Sequence, residues 1–190
     1  MAKLTEIRWH GRGGQGAVTA GKMLADLALD SGQYFQAFPD YGPERAGAPI
    51  QAFTRLSREP IHIHSQIEEP DVVVVLDPTL IGSVNVAEGL KEEGILIVNT
   101  EEPPAEIRER LGVKRGKVFT VNATRIAMDI LGREITNTPM LGALIKATGF
   151  VALEDLIEKT RERFGHKFGS RVAEQNVQAI ERAYREVREG

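Results

Sequence analysis

Near the start of the chain, the run His10-Gly11-Arg12-Gly13-Gly14-Gln15-Gly16-Ala17 constrains the fold more than any other stretch. Four glycines in six positions give a backbone that turns tightly and brings its own N–H groups close to a ligand or another chain. Leu4 to Trp9, before it, reads as a strand. After it, Ala17 to Ser31 places small or apolar residues at 17, 20, 21, 24, 27 and 28, one face at helical spacing. Strand, glycine turn and helix N-terminus therefore follow in order, presenting unpaired N–H groups and the positive end of a helix dipole. That arrangement suits a phosphate or carboxylate, and Arg12 stands beside it.

The remaining elements predict an α/β fold. Gln33 to Phe38 reads as a second strand, and Ile50 to Leu56 as a third. The Gly- and Pro-rich segment between them, Pro39 to Pro49, leaves no room for a crossover helix, which predicts an antiparallel pair. Ile61 to Ser65 is expected as a short edge strand. Val72 to Leu76 is apolar on both faces, as a central parallel strand must be, and Asp77-Pro78 ends it. A helix near Val84 to Lys91, a strand at Ile95 to Val98, a helix near Pro104 to Leu111 and a strand at Lys117 to Val121 extend the parallel half. Helices follow at Ala123 to Leu131 and from Thr138-Pro139, with Thr138 as the expected N-cap. Apolar residues at helical spacing line two last helices, joined by a loop at Gly165 to Gly169. The expectation is a three-layer, Rossmann-like α/β domain with a mixed, mostly parallel sheet. Residues 1–190 form one domain, with 153–190 its helical C-terminal part.

Composition excludes several functions. The 190 residues carry a net charge of -3 with both signs dispersed, so there is no basic footprint for nucleic acid. The absence of cysteine rules out disulfides, thiolate zinc sites and cysteine-ligated iron–sulfur clusters in this polypeptide. No signal-peptide pattern opens the chain, and the longest apolar run, Val72 to Leu76, is too short to span a bilayer. A cytoplasmic protein without membrane partners is expected.

The candidate sites each have a bland and a sharp reading. Gly11, Gly13 and Gly16 formally satisfy a dinucleotide fingerprint, with Asp40 near the place of a ribose-binding acid, but the third strand arrives through a Gly/Pro loop rather than a βαβ unit. The glycines also suit close helix–strand packing, or contact with a partner or with a substrate's phosphates. Asp77 stands where α/β folds put chemistry, yet Asp before Pro is an ordinary N-cap. His62 and His64 share one face of a short segment with no carboxylates to complete a metal site. His10, beside the glycine turn, either bonds to the turn or titrates on binding. The segment 39–49 is long, exposed in expectation, and contains Tyr41, Glu44 and Arg45, as a docking element would. No nucleophile elbow, Walker loop or His-Glu-x-x-His is present.

Four ordered runs carry a resemblance: Ile7 to Gly16, Gln36 to Pro49, Asp71 to Asp77, and Asn137-Thr138-Pro139-Met140-Leu141-Gly142-Ala143. Together they resemble the gamma subunit of the 2-oxoacid:ferredoxin oxidoreductases, the pyruvate enzyme most of all. The resemblance implies a Rossmann-like domain packed on a larger catalytic core. In that family a 2-oxoacid is decarboxylated oxidatively, its acyl group passes to coenzyme A and its electrons to ferredoxin. It implies thiamine diphosphate and magnesium held by the alpha and beta subunits, and [4Fe-4S] clusters on beta and delta. No cofactor is expected on this chain alone. Gly11, Arg12, Gly13, Gly14, Gln15 and Gly16 carry over as an anion, coenzyme A or subunit-contact loop, and Tyr41, Glu44 and Arg45 as subunit contacts; no residue carries over as catalytic or metal-binding. A sister enzyme acting on 2-ketoisovalerate or another 2-oxoacid stays open, as does an independent dinucleotide-binding oxidoreductase. Isolated from its partners, the chain is expected to be able to pair with itself.

Overall fold

The computed structural model describes residues 4–40 and 47–190. Strand β1 (Thr5–Arg12) leads through the glycine turn into α1 (Ala17–Asp30), followed by β2 (Tyr34–Pro39) and β3 (Pro49–Ser57). Then come β4 (Val72–Val75), a single 3-10 turn (Pro78–Leu80), β5 (Ile95–Asn99), α2 (Pro104–Leu111) and β6 (Lys117–Val121). The chain closes with α3 (Ala123–Leu131), α4 (Asn137–Thr148), α5 (Leu153–Phe168), α6 (Ser170–Glu186) and β7 (Arg188–Glu189).

The strands form one sheet in the order β2-β3-β1-β4-β5-β6-β7. β1, β4, β5 and β6 pair in parallel, while β3 runs antiparallel to both of its neighbours and β7 to β6. The expected mixed, mostly parallel α/β sheet is therefore present, including the antiparallel β2–β3 pair.

Alternation along the strands sorts the core into two layers. Ile7 and Trp9 of β1, with Val72 and Val74 of β4, face α1, α4 and α6, whose Met23, Leu24, Leu144 and Ile180 are fully buried against them. Burial of side chains this large stabilises by about 1.5–3 kcal/mol each. Trp9 keeps its polar edge satisfied, donating from Nε1 to Thr54 Oγ1 at 3.0 Å. On the other face, Val73, Val75, Leu96, Val98 and Val118 are covered by Leu80, Val86 and Ile107. That layer consists of one short helix and a series of turns.

The turns replace the helix expected over Val84 to Lys91. Arg8 is buried on this face and donates Nη2 to the carbonyls of Val86, at 3.3 Å, and Glu88, and Nη1 to Glu68 O at 3.4 Å. Carbonyls turned toward Arg8 are unavailable to a helical ladder, so the segment passes through successive turns. Ile61 to Ser65 likewise is no strand. His62, Ile63 and His64 are all exposed, and the backbone here instead lends carbonyls: Ile63 O, and Gln66 O just beyond the segment, accept from the buried Arg55, each at 3.4 Å. The expected loop at Gly165 to Gly169 contracts to Gly169, since α5 runs on through Phe168. Thr138 is not a cap: Thr136 takes that position, and the Thr138 hydroxyl lies inside α4 and donates to Asn176 Oδ1 at 2.8 Å.

Candidate functional site

The chain leaves β1 through α1 toward β2 on one side of the sheet, whereas β4, β5 and β6 build outward on the other. The order reverses between β1 and β4, and the carboxyl ends of strands at such a reversal are where open α/β sheets form crevices for ligands. Both exceptional stretches of the sequence come to this place. Gly11 and Arg12 complete β1, and the turn proper spans Gly13 to Gly16. Gly13 N donates to Ala48 O at 3.0 Å and Gly47 N to Gly13 O at 3.4 Å, so the turn is stitched to the point where residues 39–49 enter β3. Gly16 is the N-cap of α1 with φ +84, and a Cβ there would lie 2.8 Å from Asn137 Nδ2. Only glycine meets both demands, the left-handed backbone and the contact with α4.

Arg12 joins three segments. Its Nε donates to Asp77 Oδ2 at 3.1 Å, its Nη2 to Thr79 Oγ1 at 2.8 Å and its Nη1 to Gly47 O at 3.1 Å. Gln15 closes the ring, donating Nε2 to Asp77 Oδ2 at 2.7 Å while its Oε1 accepts from Arg12 N at 2.7 Å. Asp77 also caps the 3-10 turn, accepting from Thr79 N at 2.9 Å. Burial works to raise its pKa, but the hydrogen bonds from Thr79 and Gln15 and the charge of Arg12 outweigh that and hold the carboxyl below its ordinary value. An acid held ionised by so many partners makes a poor proton shuttle and a firm bracket. The Arg12 side chain is 31% exposed, so its outer edge faces solvent beside the turn. Tyr41, Glu44 and Arg45 lie outside the described residues. The flanking Asp40 accepts at Oδ1 from Gln66 Nε2 at 2.6 Å.

His10 is 2% exposed and accepts at Nε2 from Arg8 Nε at 3.0 Å. Burial, and then the neighbouring Arg8 charge, push its pKa down to about 3. It is a neutral acceptor under the turn, and the reading in which it titrates on binding is corrected by this burial. Arg8 itself escaped the sequence reading, although a cation alternating with apolar residues in a central strand is the signal that finds it. Asn99 escaped too. At the end of β5 it donates Nδ2 to Leu76 O at 2.7 Å and Thr124 Oγ1 at 2.8 Å, fastening α3 to the same edge. His62 and His64 are exposed, and no group of three His, Cys, Asp or Glu among the described residues could hold a metal ion.

Fold and site together define a Rossmann-like α/β domain whose switch point is braced by its own ion pair and stitched to a neighbouring loop. A sequence profile of the pyruvate ferredoxin/flavodoxin oxidoreductase family matches residues 6–186, and the chain belongs to that family. It is 54% identical over 181 residues to the pyruvate/ketoisovalerate oxidoreductases common subunit gamma of Thermococcus kodakarensis, covering 95% of this chain and 96% of that one. The crystal structure of the pyruvate oxidoreductase subunit PORC of Thermotoga maritima superposes with a TM-score of 0.87 at 46% identity, covering 99% of each chain. The gamma subunit of a keto/oxoacid ferredoxin oxidoreductase from Geobacter sulfurreducens gives a TM-score of 0.75 at 26% identity, covering 97% of each.

Proposed function

We propose that this chain is the gamma subunit of a multisubunit pyruvate:ferredoxin oxidoreductase. The complex converts pyruvate, coenzyme A and oxidised ferredoxin to acetyl-CoA, carbon dioxide and reduced ferredoxin, in keeping with the EC class 1.2.7.1 of the Thermotoga maritima pyruvate oxidoreductase. Near-complete alignment with the subunits named above carries this reading. The chain's sequence agrees with it: a polypeptide without cysteine has no thiolate ligands for an iron–sulfur cluster. Thiamine diphosphate, magnesium and the [4Fe-4S] clusters accordingly reside on alpha, beta and delta, and the isolated chain, one cytoplasmic domain, is inactive. No helix among the described residues is long and apolar enough to cross a membrane.

The contribution of this chain is a rigid edge. Gly13 to Gly16, braced by Arg12 and Asp77, and the root of the 39–49 segment form one hydrogen-bonded unit, which seats against the catalytic subunits and shapes the approach of coenzyme A. The choice of oxoacid lies elsewhere in the complex, in keeping with a relative named as common to pyruvate and ketoisovalerate enzymes. The test is Arg12→Glu in the assembled enzyme, which sets a second carboxylate against Asp77. Subunit loss, or a KM for coenzyme A raised about tenfold (about 1.4 kcal/mol), is expected. Unchanged stoichiometry and KM would contradict the role given to the turn.

A further inference from the structure

A cavity of about 330 Å³ opens beside the glycine turn, at the lower end of the size of small-molecule sites. Three helices begin on it. Thr19 in the first turn of α1, Asn137 at the first position of α4 and Val172 at the third position of α6 all line it. None of these three helices has an acidic residue in its first turn. At the start of α4 the N–H of Thr138 is taken by Asn137 Oδ1, that of Met140 by Thr136 O, and Pro139 has none, so free first-turn N–H groups and a positive dipole end come from α1 and α6, neither of which has a side-chain cap.

The side chains carry the same sign. Arg133, Arg163 and Lys167 line the cavity, and none of its lining residues is acidic. Arg163 is paired with Asp26 at 2.6 Å, while Arg133 and Lys167 are exposed at the rim. An independent sign comes from Asn137. It is only 7% exposed; its Oδ1 accepts from Thr138 N at 3.0 Å, and its amide Nδ2 donates to no partner among the described residues. An amide with unused donors on the wall of an open cavity can donate to an acceptor bound there. The opposite wall is apolar, formed by Ile135, Phe164 and Phe168, the last 53% exposed.

We propose that this cavity is a binding site for an amphipathic organic anion: a charged head held by the Asn137 amide and the N-termini of α1 and α6, with Arg133 and Lys167 at the rim, and a flat or acyl body laid on Phe164 and Phe168. Asn137, already packed against Gly16 of the turn, then has a second role of its own.

The probe is 8-anilinonaphthalene-1-sulfonate, which joins an anionic head to aromatic rings, titrated into the purified full-length chain by fluorescence and by amide NMR. One saturable site is expected, weakened by salt. The Asn137 side-chain NH₂ signal and the backbone N–H signals of Thr19 and Val172 should shift on binding. The double variant Arg133→Glu/Lys167→Glu, altered only at exposed positions, should bind at least tenfold more weakly with an unchanged unfolding temperature. Lys114→Glu, on the opposite face, should bind as the parent does. Equal affinity in parent and double variant, or shifts that bypass Asn137, would overturn the proposal. So would loss of the site on assembly with the partner subunits, since the occupant would then be a partner segment.

Discussion

Gly142→Ala is expected to destabilise the chain by about 3 kcal/mol, although glycine to alanine inside a helix ordinarily stabilises by about 1 kcal/mol. The sign reverses because α4 crosses α6 at this residue. A Cβ on Gly142 would overlap the Ile180 carbonyl oxygen and stand 3.0 Å from its carbon, and both atoms are backbone of a helix that cannot step aside alone. α4 is also buried along nearly its whole length, with Met140, Leu141, Ala143 and Leu144 fully enclosed, so the displacement would propagate into the main core. For a domain of this size the loss corresponds to about 6–12 °C in unfolding temperature. Gly165→Ala is the matched control. It lies within α5 with nothing within 4 Å of the added methyl, and should leave the temperature unchanged or raise it slightly. Equal shifts for the two variants, read by thermal unfolding, would contradict the close crossing.

A second large effect is expected on acidification. His10 has an ordinary pKa of 6.5 in the unfolded chain and about 3 when buried under the turn. Between those values the unfolded state binds a proton that the native state refuses, so stability rises with pH through this window. It is fully present above about 6.5 and is lost progressively as pH falls through 3, by roughly 5 kcal/mol in all. Asp77 contributes in the same direction but later, because its lowered pKa costs stability only as pH falls below the ordinary carboxylate range. His10→Gln, which keeps an acceptor for Arg8, should flatten the limb between pH 6.5 and 4 while leaving the more acid limb. An NMR titration placing the native His10 near 6.5 would refute the assignment.

Much of this architecture is legible in the residues because local and global signals agree. Glycine turn, amphipathic α1 and the doubly apolar Val72 to Leu76 each specify one role, and the loop between β2 and β3 is too short for a parallel return. The misread segments depend on partners remote in sequence. Val84 to Lys91 has helix-compatible apolar spacing, yet Arg8, about eighty residues earlier, takes the carbonyls that a helix would need. β7 is two charged residues, Arg188 and Glu189, whose pairing with β6 no periodicity announces. The candidate site divides along the same line. The glycine turn and the 39–49 segment are both visible as unusual stretches, but their hydrogen-bonded union, and the Arg12–Asp77 pair across 65 residues, follow only from β1 lying between β3 and β4. The convergence of α1, α4 and α6 on Asn137 is equally a product of packing.

The most direct measurement of the central claim is reconstitution. Partner subunits purified without this chain are assayed for pyruvate-dependent reduction of ferredoxin in the presence of coenzyme A, before and after it is added back, beside the chain alone. The account predicts no turnover by the chain alone, and coenzyme A-dependent turnover restored on its addition in stoichiometric amount. Pyruvate oxidation by the isolated polypeptide, or full activity of the partners without it, would contradict the account.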